Sequence, residues 1–529
     1  MAEVDFAPLS SDVLCRALRA KTYSKQQWDQ QNWTPGSLMT ISIPSLPQFW
    51  VPSASWFEFN LSVGYTTNNL DAVLTPPGVN SGKILVSQFF PHSACVRTNV
   101  LSSNGQTISN IQNYAQIHMA KVLLCGMDSN VSRMNLMNVN PTWQPYAASS
   151  SAASRQSPYQ MGAYLGGDPT SQNLVPNGTG VCNMTVNTQM GMLPIFQLDA
   201  LIDLASMASQ TRSSLQLQMQ MDVQANWLAT NITGASTTGG TGTGAPTISL
   251  GTVLIQPFYY MCLIQPTVQL QMAVGKLINS NNFLLPIESY LTNLLPLLNN
   301  AKNLSVRAFA DEESISSCYV CQQLTLPFNS AWDAPNNFTS AHIQTFQITS
   351  GGAYFPSYGP MMRSDASNAG FTDALNNFDA IQFFRHLLNV KSDAGETKGV
   401  MITPLYYHNT VASPTIVTTG AGTGVGNTLM IGNNSDFIIA YSFETGCKGT
   451  YTGFNCRANG GTYDVNMTYN VSATVPNAQV YVFTEYMRVY ALTVGGLIYL
   501  TLDQFRAKIN DMDPRYENLL NMLLHISMA

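Results

Sequence analysis

The stretch LQLQMQMDVQANW (residues 215–227) alternates apolar and polar residues almost without a break, and its polar positions are amides with a single acid. Period-two alternation of this kind fits a strand buried on one face, since a helix needs its apolar residues three and four apart. At about 3.3 Å per residue, thirteen such residues span roughly 43 Å, more than twice a usual strand. Leu215, Leu217, Met219, Met221, Val223 and Trp227 are expected to face a core, and Gln216, Gln218, Gln220, Gln224 and Asn226 to face away from it. An outward face of Gln and Asn, where Lys and Glu are usual, is the feature to be explained.

The same signal recurs along the chain. SLMTISI (37–43), SWFEFNLSV (55–63), TVLIQPFYYMCLI (252–264), TVQLQMAV (267–274), SSCYVCQQL (316–324), HIQTFQI (342–348), FIIAYSF (437–443), YDVNMTYNVSATV (463–475) and AQVYVFTEYMRVYALTV (478–494) all read as strands. They are rich in β-branched and aromatic residues and are bounded by Pro or Gly. Helical spacing is confined to ISNIQNYAQIHMAKVLL (108–124) and FTDALNNFDAIQFFRHLLNV (371–390), the latter with Thr372 or Asp373 as its cap. Gly- and Thr-rich stretches at 140–180, 230–246, 412–434 and 445–461 read as long surface loops. Strands, a helical insert, a long loop and a final run of long strands follow one another in both halves. With 529 residues, too many for one core, the order predicts an all-β chain of two tandem eight-stranded jelly rolls with short helical insertions.

Charged residues make up 10% of the chain, against about 25% in ordinary domains. The net charge of -6 supplies no line of Lys and Arg for counterion release, so direct nucleic-acid binding is not expected. The short basic cluster Arg16, Arg19, Lys21 and Lys25 reads as a solvated face. Nine cysteines at irregular spacing suggest no disulfide framework. Cys318 and Cys321 form a CxxC inside a strand signal and read as two buried thiols; Cys447 and Cys456 are left open between thiols and a pair.

Nothing in the chain carries the pattern of a catalytic, cofactor or metal site. His92, His118, His342, His386, His408 and His525 are scattered, and the run Asp311, Glu312, Glu313 lies between two strand signals as a turn rather than an acid–base pair. GGTGTG and GAGTGVG lack the Lys of a phosphate loop. The start MAEVDFAPLSSDV does not read as a signal peptide. Residues 490–502 are too short to span a bilayer, and 283–298 are interrupted by Pro286, Glu288 and Pro296.

Two resemblances narrow the reading. TEYMRVYALTVGGLIYLTL (484–502), with Tyr486, Arg488, Val489, Gly495, Gly496, Leu497 and Tyr499, resembles the closing strands of double jelly-roll major capsid proteins of large DNA viruses. The order of elements from about residue 37 to 500 is similar to that of virophage and polinton-like virus capsid proteins. It runs through TNVLSSNGQTISNIQNYAQIHMAKVLL, SLQLQMQMDVQANWLATN, VLIQPFYYMCLIQPTVQL and TSAHIQTFQITSGGAYFPSYGPMMRSDASNAGFTDALNNF. The Ala/Ser loop between Pro141 and Gly167 departs from that pattern.

The resemblance implies a homotrimer whose six jelly rolls form a pseudo-hexagonal capsomer in an icosahedral virion shell. Neighbouring capsomers, penton and minor capsid proteins and an internal membrane would be its partners. It implies an N-terminal arm at 1–36, jelly rolls at 37–272 and 273–502, and a C-terminal tail at 503–529, arm and tail being inner anchors. Residues 505–526 are expected to be either a short amphipathic helix or a tail packed on its own domain.

The alternatives are a β-sandwich carbohydrate- or receptor-binding protein and a polysaccharide-cleaving enzyme. The latter needs paired carboxylates in a cleft, which the sequence does not offer. The charge deficit separates the capsid reading from the binding-protein one. Burying an ion costs several kcal/mol, whereas a hydrogen-bonded amide is buried at little cost, so a chain covered by copies of itself favours amides.

Overall fold

The computed structural model describes residues 18–27, 32–42, 48–50, 55–68, 81–86, 94–101, 107–117, 120, 163–164, 178–189, 202–203, 216–233, 247–280, 283–324, 343–362, 386–387, 415–419, 427–431, 438–444, 453–469, 477–493 and 496–510. The first half supplies β1 (Leu18–Gln27), β2 (Leu38–Ser42), β3 (Phe49–Trp50), β4 (Trp56–Asn68), β5 (Ser81–Val86), β6 (Cys95–Leu101), β7 (Thr107–Gln112), β8 (Ala163–Tyr164), β9 (Thr179–Gln189), β10 (Ile202–Asp203), β11 (Gln216–Met221), β12 (Leu228–Thr233) and β13 (Thr247–Pro266). After α1 (Val268–Asn279) come β14 (Phe283–Leu297), β15 (Asn303–Phe309), β16 (Ile315–Leu324), β17 (Ile343–Ser350), β18 (Ala353–Phe355), β19 (Met361–Met362), β20 (Thr415–Thr419), β21 (Asn427–Ile431), β22 (Ile438–Ser442), β23 (Thr462–Tyr469), β24 (Ala478–Thr493), β25 (Gly496–Leu500) and α2 (Leu502–Asn510).

All described strand pairs are antiparallel, and the two halves repeat one order. The first half pairs β1–β13–β4–β9 in one sheet and β2–β11–β6–β7 in the other. The second pairs β14–β24–β16–β22 and β15–β23–β17–β18. With the eight principal strands of each half numbered in chain order, both read first–eighth–third–sixth and second–seventh–fourth–fifth. This is the Greek-key order of a jelly roll, occurring twice as predicted. Connections after the third, fifth and seventh strands leave the same end, and in the first half they share a small sheet, β12–β5–β8.

Alternation explains the long strands. β4 turns Phe57, Phe59, Leu61, Val63 and Tyr65 into the core and leaves the intervening residues partly exposed. Five such side chains contribute on the order of 10 kcal/mol of apolar burial, an upper bound before chain entropy. β13 contains Pro257, which would break a ladder inside a central strand. It lies between the last β1 pairing, Gln27 with Phe258, and the Trp33–Ile255 bridge, where the described residues provide no β1 partner.

Several expectations are corrected. In the opening stretch Leu217, Met219 and Met221 are buried and the glutamines between them partly exposed, but β11 ends at Met221. The Asp222 carboxylate accepts the Val223 N–H at 2.7 Å and its carbonyl accepts the Trp227 indole N–H at 3.1 Å. A side chain that bonds to the next backbone N–H competes with the ladder, so the chain turns through a 3-10 turn at Gln224–Asn226 into another sheet, and Val223 is left exposed. The long walls are instead β13, β24, β14 and β4, of 20, 16, 15 and 13 residues.

TVQLQMAV opens α1 rather than a strand, because Val274, Leu277 and Ile278 place buried residues at helical spacing. Residues 107–112 form a strand, so the helix predicted at 108–124 is helical only at 114–117 and 120 among the described residues. Of the helix predicted at 371–390 only His386 and Leu387 are described, and they are helical. The loop predicted at 412–434 contains the β20–β21 hairpin. Residues 283–298 contribute β14, and no described helix is long and apolar enough to cross a membrane.

The halves are joined edge to edge by β7 and β14. Ser109 and Ser289 hydroxyls meet at 2.5 Å, Thr292 donates to the Gln112 carbonyl at 2.7 Å, and Tyr490 donates to the Ile108 carbonyl at 3.1 Å. Gln116 reaches across to Gln323 at 3.5 Å. As a result β16 and β24 are buried on both faces. Thr484 and Gln322 meet Tyr463 and Tyr469 of the opposing sheet, while Tyr319, Phe483 and Glu485 are equally buried on the other side.

Candidate functional site

The sequence offers no catalytic residue, cofactor or metal site, and among the described residues no group of three or more His, Cys, Asp or Glu is placed to hold a metal ion. Cys318 and Cys321 are free and buried, as expected of structural thiols. Three residues apart on a strand, they point to opposite faces, and burial pushes the Cys318 thiol up to about 12. Cys456 is free and buried, whereas Cys447 lies outside the described residues. So do GGTGTG, GAGTGVG and every predicted histidine except His386. His386 packs on Tyr441, contacts the Tyr358 hydroxyl at 2.8 Å, and has its pKa lowered by burial.

The acidic run forms the turn between β15 and β16, but its three carboxylates are tied to two arginines that sequence inspection did not connect with it. Arg488, on β24, binds buried Glu312 through two N–H groups at 2.6 and 3.1 Å, with its guanidinium over the Tyr486 and Tyr499 rings. Burial pushes the Glu312 carboxyl above its ordinary range, and the Arg488 bonds oppose that shift. Arg457 binds Asp311 at 3.0 Å and Glu313 at 2.8 Å. Glu313 also accepts the Leu502 N–H at 2.6 Å, holding the first turn of α2. Thr501 and Gln504 complete that end as a reciprocal cap. This is a structural clamp that fixes where the C-terminal segment leaves the second jelly roll.

The outward sheet faces carry the answer to the missing charge. On β15, β23 and β17, Ser305 meets Asn466 at 2.8 Å, Asn466 meets Thr349 at 3.3 Å and Thr345 meets Thr468 at 2.6 Å, with the one ion pair Arg307–Asp464 at 2.8 Å beside them. On the first half's β13–β4 face, Trp56 stacks on Tyr260 with ring centres 4.9 Å apart, and Tyr260 donates to Glu58 at 3.3 Å. Lys25 stands 3.5 Å from the same Glu58 and 3.8 Å above the Phe258 ring. Lys25 with Glu58 and Arg307 with Asp464 are thus each paired within their own face. Such faces have no reactive group to offer and are suited to being covered by protein.

No family model matches the chain, and no curated protein matches it in sequence. Solved structures do match. A chain of the Sputnik virophage, determined by cryo-EM, aligns with 12% identity and a TM-score of 0.52 over 96% of this chain and 94% of that one. The crystal structure of the mavirus major capsid protein aligns with 11% identity and a TM-score of 0.53 over 92% of each. The shared fold is the double jelly roll. Coverage is nearly complete in both directions, so both jelly rolls and the joint between them fall inside the match.

Proposed function

We propose that the chain is a major capsid protein, assembled as a homotrimer of pseudo-hexagonal outline into an icosahedral virion shell inside the host cell. The observation that supports it is a double jelly roll matched over 92% of each chain with the mavirus major capsid protein. Three copies would set six similar barrels around one axis, and the locally neutral sheet faces suit a surface that neighbours cover. Neighbouring capsomers are the first partners; penton and minor capsid proteins and an internal membrane are further ones, and no enzymatic activity is assigned.

The unit boundaries are part of the proposal. β1 pairs with β13 as β14 pairs with β24, so the first jelly roll is assigned from residue 18 rather than 37, with an arm ahead of it. The second is assigned to 273–502 and the tail to 503–529, leaving α1 at the join. Hydrodynamic size and negative-stain microscopy of the purified chain test the reading. Trimers of pseudo-hexagonal outline are expected, and a dilution-resistant monomer would leave the binding-protein alternative.

A further inference from the structure

The internal repeat identifies a surface whose described residues are partly exposed in one copy and the part of a second copy that fits it. In the second half, the face of β24 and β16 turned away from its own sandwich is buried within the chain. The segment that follows the first half's fifth strand, β7, reaches this face. Gln116, in the helical turn after β7, reaches Gln323 at 3.5 Å. Glu485 lies on that covered face, fully buried and accepting hydroxyls from Tyr290 at 3.0 Å and Tyr319 at 2.9 Å.

The first half has the corresponding face on β13 and β4, and it carries a carboxylate of its own, on the third strand rather than the eighth. Glu58 accepts the Tyr260 hydroxyl beside Trp56 and pairs with Lys25. In place of complete burial, the Lys25 side chain is 46% exposed and that of Glu58 21% exposed. The second half likewise has a segment following its fifth strand, β18. Tyr354 on β18 itself and Tyr358 in that segment are 58% and 63% exposed, and the Tyr358 hydroxyl is in contact with His386.

We infer that the face formed by Trp56, Glu58, Phe258, Tyr260 and Lys25 is covered by the Tyr354–Tyr358 segment and the adjoining His386 of a second copy. The contact would repeat between chains the joint that already exists within each. It rests on the capsid reading and assigns residues to its trimer. Being head-to-tail, it closes a ring when the rotation permits, and it joins aromatic side chains of the kind enriched in interface centres. The local pairing of Lys25 with Glu58 lets these two charges be covered together.

Sedimentation of the full-length chain over a range of concentrations tests this, with Glu58→Lys on one side and Tyr358→Glu on the other. Both variants should keep the wild-type far-UV circular dichroism and melt cooperatively. Each should dissociate at concentrations at least about tenfold above wild type, as expected for an interface centre losing more than about 1.4 kcal/mol. Folded variants that dissociate with the wild-type midpoint overturn the assignment while leaving the capsid reading intact. A wild type that is monomeric at every concentration overturns the capsid reading and the surface with it. Should Glu58→Lys or Tyr358→Glu fail to fold, Tyr354→Glu on its exposed ring decides by the same midpoint.

Discussion

The most consequential single contact is the pair between Arg488 and Glu312, since the Glu312 side chain is only 4% exposed. Removing one partner from a buried ion pair leaves the other without compensation, which costs about 3 kcal/mol or more. Arg488→Met should therefore lower the denaturation midpoint sharply, and adding Glu312→Gln should recover part of the loss in the double variant. Gly453 is limiting in another way. A Cβ there would lie 2.3 Å from the Ile315 carbonyl oxygen, which accepts the Phe454 N–H. Gly453→Ala should destabilise by about 2 kcal/mol, within the range of backbone-forced changes, as read by chemical denaturation. His386 sets a pH dependence. Burial lowers its folded pKa below the ordinary value of 6.5, so the unfolded chain takes up the proton first. Its contribution to stability is complete above about pH 6.5 and is lost as the pH falls through the depressed folded value. Melting curves between about pH 7.5 and 5.5 should be flatter for His386→Phe than for wild type.

Among the elements, β1 separates sequence reading from structure most clearly. LRAKTYSKQQ has no apolar alternation, its three basic residues read as a solvated face, and the family resemblance placed it in an arm. It is a strand because β13 offers it the edge opposite β4 along Phe258–Pro266, a cause that lies more than 200 residues away. Charges on an outer strand are also the usual protection of a sheet edge. Truncation to residue 27 should expose β13 from Phe258 to Pro266 and promote aggregation, measured by light scattering, whereas truncation to residue 17 should leave the ladder intact. Strands with clear alternation, such as β4 and β23, were legible because each has one face in the core. β11 was legible in its facing but not its length, because one Asp222 hydrogen bond decides where it stops. α1 was misread because a four-residue alternation at its start looks alike in a strand and in a helix. The clamp around 311–313 was invisible, since nothing local connects an acidic turn with arginines at 457 and 488.

For the whole molecule, the duplication was legible in the order of elements and in the length of the chain, while the way the halves meet was not. The joint consists of hydroxyls and amides such as Ser109, Thr292, Gln116 and Gln323, residues abundant throughout the chain. That joint has a thermodynamic consequence for assembly. In the proposed ring every second barrel-to-barrel contact lies within one chain, where the β7–β14 tether replaces free concentration by a fixed effective molarity. Dilution therefore acts on only half of the contacts, and a weak pairwise affinity between chains is multiplied by closure of the ring. Building blocks of this kind can assemble at modest concentration and still correct a misplaced subunit by letting go of it.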